Sequence, residues 1–301
     1  NLHPGSSAGQ SGGFLNRRSR VRAAPGVPYW ADNIMQKPNI ILILVDDLGW
    51  RDLSCYGSLF YETPVLDALA GSGAIFTNAY ASCPVCSPSR ASILTGRYPV
   101  KTGITDWIDW GDKIHPARGI LIDAPYRKGL SRDIRALPSI LRENGYKTWH
   151  IGKWHLGGNE FLPENHGFDV NIGGGEWGAP GGYFSPWKLP PLKDIDVPIG
   201  TYLTDYLTDR AIELIRNHKT GEPFFLNLWH YAVHQKIEAK EKDICKYKEK
   251  SVMMGLQAKK TFEEGDFFPC EHKKNQRIIR RLIQSDPVYA AMIENLDWNT
   301  G

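Results

Sequence analysis

Four groups of residues have types and spacings that could do chemistry. Asp46-Asp47 closes the apolar run Ile40-Ile41-Leu42-Ile43-Leu44-Val45. Adjacent carboxylates repel unless a cation neutralises them, and hard oxygen donors suit calcium or magnesium. A solvated loop opened by a helix cap accounts for the same pair equally well. Cys86-Ser87-Pro88-Ser89-Arg90 runs into Ala91-Ser92-Ile93-Leu94-Thr95-Gly96-Arg97. Pro88 and the helical pattern after it put Cys86 at or just before a helix N-terminus, where unsatisfied N–H groups and the macrodipole favour an anion. A buried structural cysteine fits that position too. A Cys83–Cys86 redox pair lacks the strand and helix of a thioredoxin-like unit, and a zinc site lacks a second C-x-x-C. Gly152-Lys153-Trp154-His155-Leu156-Gly157 sets a cation and an imidazole two residues apart, on one side of an extended chain. Such a pair can clamp an anion and move a proton, although Lys and His near strand ends are also ordinary surface residues. The fourth candidate is His234, in Trp229-His230-Tyr231-Ala232-Val233-His234; a lone histidine is more often structural.

The elements that must position these groups read as alternating strands and helices. Ile40 to Val45 has the pattern of a strand buried on both faces of a parallel sheet, with its acids at the carboxyl end. Thr63-Pro64 opens a short helix ending before Gly71, and Ala74 to Tyr80 reads as a strand. Ser89 to Leu94 reads as a helix, Leu137 to Asn144 as another, and Lys147 to Ile151 as the strand after it. Leu203, Leu207, Ile212, Leu214 and Ile215 fit an amphipathic helix, and Pro223 to Trp229 a second buried strand. The alternation predicts an α/β fold with a mostly parallel central sheet, and all four chemical groups fall at carboxyl ends of its strands, where such sheets bind ligands. Residues 106–135 read as an insertion over the site. Residues 157–199 are Gly/Pro-rich and read as long irregular surface, and 236–285 as a solvated helical excursion. The first two form the natural walls of a substrate pocket, with Trp107, Trp110 and Trp187 able to stack on a sugar or aryl ring.

Composition excludes more than it selects. With 42% hydrophobic and 23% charged residues the chain can bury a sizeable core and is no disordered polymer. Lys+Arg at 36 against Asp+Glu at 33 is too near balance to argue for nucleic acid or a membrane surface. The longest apolar run falls far below the roughly 18 to 20 residues of a transmembrane helix. Five cysteines leave the redox compartment open, and Cys245 and Cys270 could pair or stay free. Residues 1–34 are Gly/Ser/Arg-rich without the apolar region of a secretory signal, so 1–37 reads as a disordered or non-native extension, with Met35 as a candidate start and 38–301 as the catalytic domain.

Val45-Asp46-Asp47-Leu48-Gly49, Cys86 to Arg97 and Gly152 to Gly157 together resemble the sulfatase family of the alkaline-phosphatase-like superfamily. Its C-x-P-S-R-x-x-x-L-T-G-R pattern is matched at every fixed position. The resemblance covers about residues 38 to 235 plus Tyr289 to Leu296. It implies an alkaline-phosphatase-like fold with helices on both faces of the sheet, and a sulfuric ester hydrolase acting on a sulfate ester, with a sulfated carbohydrate preferred to an aryl ester. It implies that a maturation enzyme converts Cys86 to formylglycine. One hydroxyl of the hydrated aldehyde would attack sulfur, and the second would collapse and expel sulfate, a step open to no serine. Asp46, Asp47 and residue 86 would hold one calcium ion, in preference to magnesium. Arg90 would hold the diol, Lys153 the sulfate, His155 would be the base, and His234 would stand near the leaving-group oxygen, although Lys236 replaces a proline common in the family. The family completes its calcium site with an Asp-Asn pair and adds a further Lys. No Asp-Asn follows His234 here, so the resemblance implies an incomplete domain with weak or no metal binding and little activity. A phospho- or phosphonate-ester hydrolase of the same fold and a non-catalytic remnant are the competing readings. Relatives are periplasmic, extracellular or lysosomal, although no signal peptide is visible.

Overall fold

The computed structural model describes residues 37–108 and 124–301. The disordered extension read over 1–37 therefore lies, but for Lys37, outside the described residues, as do Trp110 and the rest of 109–123 in the 106–135 insertion. Residues 38–301 form one unit. In chain order its elements are β1 (Ile40–Val45), α1 (Pro64–Ser72), α2 (Cys86–Thr95), α3 (Pro99–Thr102), α4 (Leu137–Glu143), β2 (Lys147–Gly152), β3 (Val170–Ile172), α5 (Leu203–Arg216), β4 (Phe224–His230), α6 (Glu241–Met253), β5 (Phe262–Phe267), β6 (Arg277–Arg281) and α7 (Pro287–Thr300), with short 3-10 turns between them.

β1, β4, β2 and β3 form a four-stranded sheet in that order, every pairing parallel. Parallel neighbours need crossover connections, and α1–α4 and α5 occupy those crossovers. β4 is buried along its whole length, as a central strand with a neighbour on each edge must be. Its side chains alternate between two cores. Phe224, Leu226 and Leu228 pack with Trp149, Ile151, α5 and α7, whereas Phe225 and Trp229 join Ala91 and Leu94 of α2 and Leu137 and Leu141 of α4. Helices thus cover both faces of a mostly parallel sheet, as expected from the sequence.

Four local expectations are corrected, and one left open is settled. β1 is not buried on both faces: it lies at the sheet edge, and Ile41 and Ile43 remain open while Ile40, Leu42 and Leu44 face the core. Ala74 to Tyr80 forms turns rather than a strand, leaving Ile75, Phe76 and Tyr80 exposed. The 157–199 stretch is not all surface. Gly and Pro turn the chain, but Tyr183, Trp187, Leu189 and Leu192 between them are buried, and the Trp187 ring packs 4.9 Å from Tyr206 instead of awaiting a sugar. The segment 236–285 contains α6 but then an antiparallel hairpin, β5 with β6, whose Phe262 and Phe267 carry the guanidiniums of Arg281 and Arg277, each 4.5 Å above the ring. Cys245 and Cys270 are both free thiols.

α7 is tied down at both ends. Asp286 caps Val288 and Tyr289, with Pro287 at the first helical position. Near its other end Asp297 accepts from the backbone of Val65 and Leu66 and so caps α1 in turn. Asp205 of α5 accepts from Asn295, Asn299 and Lys240.

Candidate active site

The strand register aligns the chemistry. Val45 pairs with His230 and Gly152 with Trp229, so β1, β4 and β2 finish level with one another. The segments leaving these strands, Asp46-Asp47, Tyr231 to His234 and Lys153 to His155, enter one crevice at the carboxyl edge of the sheet. Two backbone hydrogen bonds lace it shut: Asp46 N–H donates to the Ala232 carbonyl at 2.9 Å, and Val233 N–H to the Asp46 carbonyl at 2.8 Å.

Lys153 and His155 reach the crevice by a turn, not by the extended alternation expected. Gly152 has φ +99°, and a Cβ there would overlap the Trp229 carbonyl oxygen. That bare backbone lets Lys153 N–H donate to the same oxygen at 2.7 Å. His155 itself sits at φ +56°, a left-handed conformation uncommon for a residue with a side chain, held by its N–H on the Gly175 carbonyl at 2.9 Å.

Asp46, Arg90 and Lys153 form a buried ionic cluster. One Asp46 oxygen accepts Arg90 Nη2 at 2.8 Å and the other accepts Lys153 Nζ. Arg90 Nη1 donates to the Lys153 carbonyl at 2.9 Å, and its guanidinium lies 5.0 Å over the Trp229 ring. Burial pushes the Asp46 carboxyl up, but the two cations outweigh burial and hold it below its usual range. Burial, reinforced by Arg90, pulls Lys153 down against the attraction of Asp46 and Cys86. Two cations against one buried carboxylate leave the pocket an excess of positive charge, and the Arg90 Nε has no partner among the described residues. An anion is the natural complement.

Cys86 is the first residue of α2, half-buried, after an extended Val85, so the expected helix N-terminus is observed. Next to it, the buried Ser87 Oγ accepts the N–H of Ile108 at 3.0 Å. His155 Nε2 lies 2.7 Å from the Ile108 carbonyl, while its buried Nδ1 has no partner among the described residues. Burial, with Lys153 and Arg90 adding to it, pulls His155 down to about 3. The imidazole is neutral near pH 7 and can accept a proton only at a nitrogen facing a reacting group.

His234 is placed at the rim. Its Nδ1 donates to the Gln235 carbonyl at 2.9 Å and its Nε2 lies 3.6 Å from the exposed Asp47 carboxylate. Tyr183, which sequence reasoning passes over inside a Gly/Pro-rich stretch, fixes this loop: its buried hydroxyl is 2.8 Å from the carbonyl oxygens of both Tyr231 and His234. The signal available for it is an aromatic set among turn residues.

Among the described residues, the ligand atoms of Asp46, Asp47 and His234 lie within 4.8 Å of one another. The two carboxylates fit a hard divalent cation, and each Asp46 oxygen retains a lone pair beyond its ion pair. They supply only part of the six to eight oxygens that calcium takes, and imidazole suits softer metals.

A family model described as sulfatase matches residues 38–301. The chain is 35% identical over 231 residues to human N-acetylgalactosamine-6-sulfatase, covering 69% of this chain and 42% of the relative. It is 39% identical over 144 residues to human steryl-sulfatase, covering 46% and 23%. The crystal structure of Ps i-CgsB in complex with k-i-k-neocarrahexaose superposes with a TM-score of 0.60 at 30% identity, covering 88% of this chain and 54% of that one. The chain spans less than half the length of these curated relatives.

Proposed function

The chain belongs to the sulfatase family, and on that premise we propose that it hydrolyses the sulfate ester of a carbohydrate, with residue 86 as nucleophile after conversion of Cys86 to formylglycine. The observation that carries the reading is the buried cluster of Arg90 and Lys153 on Asp46, one helical turn from Cys86 at the start of α2. It is a water-poor, cationic pocket set at the carboxyl ends of three strands, shaped by charge for an ester sulfate.

The hydrated aldehyde supplies two hydroxyls, one to displace the alcohol and one whose deprotonation releases sulfate. Lys153, held by Asp46, presents its ammonium to the sulfate oxygens. Arg90 keeps the α2 N-terminus and the Lys153 carbonyl in fixed relation and offers its free Nε–H to charge forming at residue 86. His155 takes a hydroxyl proton from residue 86, and His234, at the rim, faces the departing alcohol oxygen. Asp46 and Asp47 would hold a calcium ion, which would polarise the sulfate and favour ionisation of the diol. The names of N-acetylgalactosamine-6-sulfatase and of the neocarrahexaose complex support a sulfated sugar as substrate.

The test is co-expression with a formylglycine-generating enzyme, peptide mass spectrometry across residue 86, and turnover of 4-nitrophenyl sulfate, 4-nitrophenyl phosphate and 6-sulfated N-acetylgalactosamine with added calcium. We expect conversion of Cys86, sulfate favoured over phosphate, and loss of activity in Cys86→Ala. Faster phosphate turnover would transfer the reading to phosphoester hydrolysis. An unconverted Cys86 with no turnover would leave a non-catalytic protein.

A further inference from the structure

Resting on that reading, we propose that Ser87 is a positioning residue for the reaction: through the N–H and carbonyl of Ile108, which flank one Cα, it fixes which nitrogen of His155 is presented to residue 86. Ser87 Oγ accepts the Ile108 N–H at 3.0 Å, and the carbonyl of Ile108 lies 2.7 Å from His155 Nε2. A carbonyl oxygen can only accept, so Nε2 carries the ring proton and Nδ1 keeps the lone pair. Nδ1 is buried and without a partner among the described residues. It is the one ring atom left to receive a hydroxyl proton.

The relay links three segments far apart in sequence. Ser87 is the second residue of α2, beside the nucleophile, and is wholly buried, as Ile108 is nearly so. The hydroxyl therefore has no solvent to turn to, and the N–H of Ile108 would be stranded without it. Losing that bond frees the backbone of Ile108 to turn about its Cα, and with it the Ile108 carbonyl, on the far side of that Cα, which dictates the tautomer. Gly178 abuts the same ring: a Cβ there would stand 2.5 Å from Cε1 and 2.8 Å from Nε2 of His155. The left-handed backbone of His155 keeps the ring in this slot. Ser87 occupies the variable position of the C-x-P-S-R pattern, which is why the sequence alone assigns it no role.

The experiment is nitrogen-15 spectroscopy of the 301-residue chain with labelled histidine, the His155 ring assigned by its absence in His155→Gln. The wild type should show His155 protonated on Nε2 and bare on Nδ1. Ser87→Thr, which keeps the hydroxyl, should preserve that pattern. Ser87→Ala should shift or split the His155 signals and lower kcat by about tenfold, with KM within about twofold, the scale of a mispositioned base. Gly178→Ala should disturb the ring with Ser87 intact. If Ser87→Ala does not fold, Ser87→Cys, a weaker acceptor, takes its place with the same expected direction. A wild-type ring protonated on Nδ1, or ring signals unmoved by Ser87→Ala, would overturn the proposal. Because the ring readout needs no turnover, a protein that shows the expected tautomer but cleaves no sulfate ester refutes the functional reading alone.

Discussion

Asp46 and Asp47 are adjacent in sequence and opposite in circumstance. The Asp46 side chain is 6% exposed, its two oxygens engaged by Arg90 and Lys153, whereas the Asp47 side chain is 62% exposed and, among the described residues, its charged neighbour is the His234 imidazole at 3.6 Å. The first half of the site is built on folding, and the second stays available to a ligand. A buried charge set is stable only when complete, because removing one partner leaves the others uncompensated in a medium that solvates them poorly. An exposed carboxylate loses little by being unpaired, since water already serves it. The two neighbours therefore differ in what they keep free: Asp46 is bound to Arg90 and Lys153 and has only its remaining lone pairs to offer, whereas Asp47 is open to a ligand.

That contrast can be broken by mutation. Asp46→Ala should carry the largest effect, about 3 to 5 kcal/mol of stability in urea unfolding, because Arg90 and Lys153 are left buried side by side. Asp205 offers an intermediate point: its side chain is 23% exposed and it accepts from Lys240, Asn295 and Asn299. Asp205→Ala should cost about 1.5 to 3 kcal/mol, the scale of hydrogen bonds to a charged group. Burial raises the Asp205 carboxyl, but those three donors outweigh it and hold it below its usual 3.8. A lowered folded value means the contribution is present above the unfolded value and lost as pH falls through the folded one. The difference between Asp205→Ala and wild type should thus be steady near pH 7 and shrink below about pH 4. Asp47→Ala should be the mildest for stability, under about 0.5 kcal/mol, yet it should weaken calcium binding on the order of tenfold by calorimetry, since affinity follows ligand charge. Equal stability losses at 46 and 47 would abolish the distinction between the two carboxylates.

The same contrast of buried and open explains what could be read from the sequence. β4 is legible because a mostly apolar run, Phe224 to Trp229, set between turn residues has few other destinations, and the level strand ends then locate the crevice. β1 carries a still more apolar run, but a run of residues does not say whether a strand has one neighbour or two, and its edge position leaves Ile41 and Ile43 exposed. The β5–β6 hairpin is hidden because Phe262-Glu263-Glu264-Gly265-Asp266-Phe267 is mostly polar and its pairing strand is mostly arginine. Within the site, Asp46, Cys86, Arg90, Lys153 and His155 announce themselves by type and spacing. Ser87 and Tyr183 do not, since each acts through a backbone group distant in sequence, and hydrogen bonds of that kind leave no periodicity behind.

Gly152 has no reactive atom, yet a map of mutational tolerance across this chain should score it with Cys86. Every missense change at its codon drives a side chain into the Trp229 carbonyl and asks a residue with a Cβ to adopt φ +99°. Intolerance at that position would record the bend that delivers Lys153, and a variant found there should be interpreted as a lesion of architecture whose symptom is lost chemistry.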